Sequence, residues 1–188
     1  FFLKDDIVFA SVSSAYVDSK VEQLRNKFPN GKYWNHLGGA NNDGNGWTNT
    51  ACTHHRTTGC DFYGSCGCNS FNNAIQCMGF AFKIGNEIFG DNVRNWRQFY
   101  DWNSVKKGDY IRINNNYGGH SMIVLAKDEQ GVSVVECNIG GNCQIRWDQW
   151  YSKSGIMSQL AFFSTSDQIH FDTISPIISE VKITDHTS

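Results

Sequence analysis

The sequence predicts an α+β fold, a helical first part followed by an antiparallel β-meander. Two helical stretches and one change of period carry that prediction. Residues 15–28 place Val17, Val21, Leu24 and Phe28 at helical spacing among polar residues, and Pro29-Asn30-Gly31 ends the run. A second helix is expected where Asn69-Ser70 supply an N-cap and Phe71, Ile75, Met78, Phe82 and Ile84 follow at near-helical spacing, which puts Cys77 on a mostly apolar helix. After Lys106-Lys107-Gly108 the pattern turns to strands, at 109–113, 120–126, 132–138, 143–147 and 160–164. Runs of helix and then strand in this order make an α+β domain.

The remaining segments are read in the same way. Residues 33–68 are rich in Gly, Asn, Thr, Trp and Cys without steady periodicity, which suggests a long structured loop held by crosslinks. Asp91 could cap a further short helix through Phe99. Turns are expected at Asn114-Asn115-Asn116, Asp128-Glu129-Gln130-Gly131 and Gly140-Gly141. Residues 165–188, with Pro176 after a polar stretch, read as a linker into the first strand of a following β-sandwich module.

At 188 residues, 40% hydrophobic and 18% charged, the chain can bury a substantial core as one domain. A net charge of -2 without a Lys/Arg run disfavours nucleic acid and anionic membrane surfaces as partners. No apolar stretch is long enough to span a bilayer, and the first residues lack the order of a signal peptide, so the signal of an exported protein would have been removed before Phe1. The seven cysteines, at 52, 60, 66, 68, 77, 137 and 143, are dense for a reducing compartment. Their odd number fits paired structural cysteines with one free thiol.

A nucleophilic cysteine needs an imidazole to hold it as thiolate, a polar group to orient that imidazole, and donors for the oxyanion. Cys77 follows Gln76 on the second helix. His120 opens a strand in Gly118-Gly119-His120-Ser121-Met122-Ile123-Val124, and Glu136 and Asn138 share one face of the next strand. A hairpin at residues 128–131 would set His120 near Asn138.

Four motifs, Gln76-Cys77, Gly108-Asp109-Tyr110, the run from Gly119 to Val124, and Glu136-Cys137-Asn138, together resemble the CHAP domains, the cysteine- and histidine-dependent amidohydrolase/peptidases of the papain-like clan. The resemblance covers about half of the chain. It implies a papain-like arrangement, a nucleophile-bearing helix packed on the antiparallel meander, with 69–164 as the catalytic core and 1–68 as an N-terminal helix and Cys-rich insertion of the same domain. It implies Cys77 as nucleophile, His120 as base, Glu136 as the group orienting the imidazole, Asn138 as further polar support and Gln76 on the oxyanion side. The implied reaction is hydrolysis of a peptidoglycan amide, by an N-acetylmuramoyl-L-alanine amidase or a cell-wall peptide endopeptidase. No cofactor is required, and the expected protein is a secreted or wall-associated monomer. Met78-Gly79 and the Cys-rich insertion depart from the family pattern and bear on the substrate rather than the reaction class. A papain-like protease or transpeptidase, and a non-catalytic wall-binding module, are the alternatives.

The other polar clusters have competing uses. Cys52, His54, His55, Cys60, Cys66 and Cys68 could ligate zinc, but in an exported protein disulfides are the expected use. Asn41, Asp43, Asn45 and Gly46 imitate the start of a calcium loop whose twelfth position falls on Cys52, so calcium is not expected. Trp34, Trp47, Trp96, Trp102, Trp147 and Trp150 could line a sugar groove, with core packing as the default. With Cys77 kept free, a hairpin centred on Gly140 would set Cys137 opposite Cys143 for a disulfide, leaving 52–66 with 60–68, or 52–68 with 60–66.

Overall fold

The structure, a computed structural model, describes residues 14–34, 44–52, 70–115 and 118–167. Among them it is an α+β fold, three helices packed on a six-stranded antiparallel sheet. Helix α1 (Ser14–Lys27) buries Val17, Val21 and Leu24, the stripe its spacing predicts, and Phe28 just beyond it is fully buried. Each such side chain stabilises the fold by about 1.5–3 kcal/mol through the apolar surface it takes out of water.

The second helix begins later than expected. Asn72 and Asn73 adopt left-handed φ of 50° and 57° and fold residues 70–75 into a small hairpin, β1 (Ser70–Phe71) against β2 (Ala74–Ile75). Asparagine tolerates two successive left-handed positions, the requirement of this tight turn, and that local preference overrides the apolar spacing of Phe71 and Ile75. Helix α2 therefore runs Gln76–Phe89, with Ile75 at its N-cap position, and Gly90 closes it in a left-handed conformation. The expected cap at Ser70 lies instead in β1, and Asn69 falls outside the described residues.

Gly79 lets α2 sit on the hairpin, since a Cβ there would run into the Ala74 carbonyl and Trp34. The expected helix from Asp91 to Phe99 is a single turn, Val93–Asn95, capped by the Asn92 side chain, followed by the short strand β3 (Arg97–Phe99). Asp91 accepts hydrogen bonds from Trp96 Nε1 and Ser166 Oγ, both at 2.7 Å, and so ties that turn to the end of the domain.

Strands β4 (Tyr110–Asn115), β5 (Gly118–Lys127), β6 (Gly131–Cys137) and β7 (Ile145–Ser152) form the predicted meander. After a short helix α3 (Lys153–Met157), strand β8 (Leu160–Thr165) returns beside β4, and β3 pairs on its outer side. Asp128 Oδ1 accepts from the backbone of Gln130 and Gly131 and builds the β5–β6 turn. One face of the sheet packs on α1 and α2 through Ile123, Val135, Cys137, Ile145 and Trp147. The other carries Ile111, Met122, Val134 and Phe163 against α3. Thr165 and Ser166 are buried with this unit, and the tail beyond 167, read as a linker, lies outside the described residues.

The expected Cys137–Cys143 bridge does not form. Cys143 is bonded to Cys52, 91 residues away, and Cys137 is a buried thiol outside that bond. The β6–β7 connection is wider than a hairpin centred on Gly140, because Asn138, Gly140, Gly141 and Cys143 all take left-handed φ. Ile145 thereby becomes the residue opposite Cys137. The Cys137 thiol donates to the Cys143 carbonyl at 3.2 Å, while Cys143 meets the segment whose Cys52 backbone N–H donates to Asn142. Both pairings of Cys52 within the insertion are likewise overturned; Cys60, Cys66 and Cys68 lie outside the described residues.

Candidate active site

Cys77 is the second residue of α2, at the end of the helix held by the hairpin and Gly79. That end meets the start of β5, where the thiol lies 3.8 Å from the Gly119 carbonyl oxygen and is 8% exposed. His120, the next residue, presents its imidazole to Cys77 and, through Nε2, to Glu136 Oε2 at 2.8 Å. With Nε2 engaged by a carboxylate, Nδ1 is the ring nitrogen left for the thiol proton.

Glu136 is completely buried on β6, one pair along from His120, because Met122 is its partner across the sheet. Oxygen Oε2 also accepts from Tyr151 OH at 2.7 Å, and Arg146 lies 3.4 Å from Oε1. Arg146 is the direct cross-strand partner of Glu136, and its guanidinium is steadied by Gln149. The phenol and the facing guanidinium compensate a carboxylate that would otherwise be costly to bury in an apolar sheet. Burial and the Glu136 charge in turn push the Tyr151 phenol upward, so it remains a donor.

Burial pushes the Cys77 thiol up, but His120, the Ser121 backbone N–H and the Arg112 guanidinium outweigh it, and the thiol is brought below its ordinary value. Burial opposes a charge on His120, yet Cys77 and Glu136 raise its pKa to about 9. The two groups titrate as a coupled pair, each favouring the charged form of the other.

Asn138 does not reach the imidazole. The ladder ends at Met122–Glu136, and Asn138 turns out of the strand at φ 74°. Its Oδ1 accepts from the Cys143 backbone at 2.8 Å and its Nδ2 donates to Gln76 Oε1 at 3.3 Å. Gln76, itself at φ 57°, is thereby oriented beside the thiol with its Nε2 amide still available as a donor.

Sequence reasoning missed Tyr151, Arg146 and Arg112. The signal for Arg146 was its position across a hairpin from Glu136; Tyr151 lay beyond the expected end of its strand. Of the tryptophans, Trp34, Trp96, Trp102 and Trp147 are core residues, while Trp47 and Trp150 are exposed. In the cysteine- and histidine-rich insertion, Cys52 is taken by its disulfide, and His54 and His55 fall outside the described residues, as do Asn41 and Asp43 of the calcium-like run.

No protein family matches the chain, and no curated protein matches it. Among solved structures it is similar to Ly7917. The crystal structure of Ly7917 aligns at 22% identity and TM-score 0.33 over 45% of this chain and 37% of that one. Ly7917 with the hydrolysing product of MDP aligns at 23% identity and TM-score 0.32, with the same coverage. The chain thus spans well under half the length of Ly7917, and a likeness of this extent carries no functional argument.

The site's own chemistry is informative. A thiol lowered by an imidazole, and an imidazole charged by a buried carboxylate, can attack an electrophilic carbon and return a proton to a departing group.

Proposed function

We propose that the protein is a cysteine amidohydrolase that cleaves an amide bond of peptidoglycan, as an N-acetylmuramoyl-L-alanine amidase or a stem-peptide endopeptidase. The observation that carries the reaction class is the buried Glu136 bonded to His120 at 2.8 Å, with the lowered thiol of Cys77 against the same ring. The substrate class rests on the resemblance of the Cys77, His120 and Glu136 motifs, in order and on helix, strand and strand, to the CHAP domains. The Cys52–Cys143 disulfide suits an oxidising compartment, in keeping with export to the cell wall.

In this reading the Cys77 thiolate attacks the amide carbon, forming a carbon–sulfur bond. The carbonyl becomes an oxyanion that accepts from the Cys77 backbone N–H and the Gln76 side-chain amide. The His120 proton passes to the nitrogen as the carbon–nitrogen bond breaks, and the amine departs. Water then attacks the thioester and gives a proton to His120. Collapse releases the carboxylic acid and restores the ion pair. Glu136 stabilises the imidazolium throughout, and Tyr151 and Arg146 hold Glu136.

Mass spectrometry of purified peptidoglycan treated with wild type and with Cys77→Ser tests the proposal. New amide-cleavage products with wild type alone support it and identify the bond. No peptidoglycan product, with cleavage of a protein substrate instead, would replace it with a protease reading.

A further inference from the structure

On the β4 side of Cys77 stands a guanidinium with no carboxylate partner among the described residues. Arg112 pairs with Ser121 across the β4–β5 ladder and is half-buried. Its Nη1 donates to Ser121 Oγ at 2.9 Å and its Nε to Asn114 Oδ1 at 3.2 Å, both neutral acceptors. Ser121 Oγ is itself fixed by Tyr110 OH at 2.8 Å. Among the described residues no carboxylate lies within ion-pair distance of Arg112. Of the other described arginines, Arg25 forks onto Asp148, Arg146 faces Glu136, Arg94 donates to the Asn72 and Asn73 carbonyls, and Arg97 is exposed on the edge strand β3.

The placement is close to the reaction. The guanidinium lies flat on Gly119, where a Cβ would run into it, and the Gly119 carbonyl touches the Cys77 sulfur. Ser121, the residue that anchors Arg112, also directs its backbone N–H to that sulfur. Gly119 thus lies between the two, its Cα side against Arg112 and its carbonyl against Cys77, and the residue next to a substrate carbonyl on Cys77 would lie about 3.8 Å further along the backbone. A half-buried guanidinium whose hydrogen bonds go to neutral side chains is suited to a carboxylate, with which it forms charge-assisted hydrogen bonds.

We propose that Arg112 is a specificity-determining residue that binds a free carboxylate of the substrate next to the scissile amide. In a peptidoglycan stem peptide cut at an amide of its second residue, the endopeptidase form of the reading, that group is the α-carboxylate of the γ-linked D-glutamate. The inference rests on the peptidoglycan reading and adds that amidation of this carboxylate protects the substrate.

The test uses two soluble muropeptides that differ only in D-glutamate or D-isoglutamine at the second residue. Wild type is expected to favour the carboxylate form about 10- to 100-fold in kcat/KM, chiefly through KM, the range of one charge-assisted hydrogen-bonded contact. Arg112→Gln should bring that ratio close to one, and Arg112→Lys, which keeps a point charge, should retain part of it. A wild-type ratio near one overturns the inference whether or not the variants fold. So does a ratio that survives in Arg112→Gln, or an Arg112→Gln defect equal on both substrates with a raised Cys77 alkylation midpoint, since Arg112 would then act only on the thiolate. If wild type cuts neither muropeptide nor intact peptidoglycan, the substrate reading itself has failed and the inference with it.

Discussion

Glu136 Oε2 accepts from His120 at 2.8 Å and from Tyr151 at 2.7 Å, so one buried oxygen sets both the orientation and the charge of the imidazole. Glu136→Gln keeps the side chain's shape but removes the charge that helps to raise His120 to about 9. The His120 pKa should therefore fall and the Cys77 pKa rise, with kcat lower by about 10²- to 10⁴-fold. Tyr151→Phe removes one hydrogen bond and leaves the charge, so its loss should be about tenfold. Steady-state rates with both variants check this order; a larger loss in Tyr151→Phe than in Glu136→Gln would contradict it. Cys77, His120 and Glu136 were legible in the sequence because each sits in a short motif on an element of clear period. Asn138, expected near His120 as further polar support, turns out of the strand where the ladder stops, which alternation along a strand does not reveal. Its hydrogen bonds go to Gln76 at the start of α2 and to the Cys143 backbone.

Among the elements, the strands were legible because alternation survives without tertiary context. The start of α2 was not, because two asparagines with left-handed φ outweighed a helical apolar pattern. Asp109, the residue before β4, shows how an element end can store a pH dependence. It is fully buried, its Oδ2 accepts from the Lys106 backbone at 2.8 Å, and Thr165 lies beside it. Burial raises its pKa to about 6, above the value of an unfolded chain. The folded state thus favours the protonated acid. That contribution to stability is complete below the unfolded value of about 3.9 and is lost as pH rises through about 6. Asp109→Asn keeps an oxygen for Lys106 without a charge to bury. It should remove this dependence and stabilise the protein at pH 7 by about 1–3 kcal/mol, read from denaturant midpoints at pH 4 and pH 7. A destabilised variant at pH 7 would mean that the ionised carboxylate is needed there.

For the whole molecule, the described residues 14–34 and 44–52 pack with the helix α2 and the sheet as one body. Phe28 and Trp34 pack on Phe80 of α2, Trp147 Nε1 donates to the Phe28 carbonyl, and Cys52 is bonded to Cys143. A crosslink closing a loop of 91 residues restricts the unfolded chain strongly, so Cys52→Ser should cost about 2–5 kcal/mol. Non-reducing peptide mapping should recover the Cys52–Cys143 pair with Cys77 and Cys137 alkylated; a Cys137–Cys143 peptide would contradict this framework. The pairing was hidden from sequence because loop width, not Cys spacing, decides which residue faces Cys137.

The central claim is that this fold brings the Cys77 thiol below its ordinary pKa beside a charged His120. The pH dependence of iodoacetamide alkylation, followed by mass spectrometry on the peptide that carries Cys77, measures this directly. The predicted midpoint lies below the ordinary thiol value of about 8.5 and rises in both His120→Ala and Glu136→Gln. A wild-type midpoint at or above that ordinary value, unmoved by either substitution, would contradict the claim.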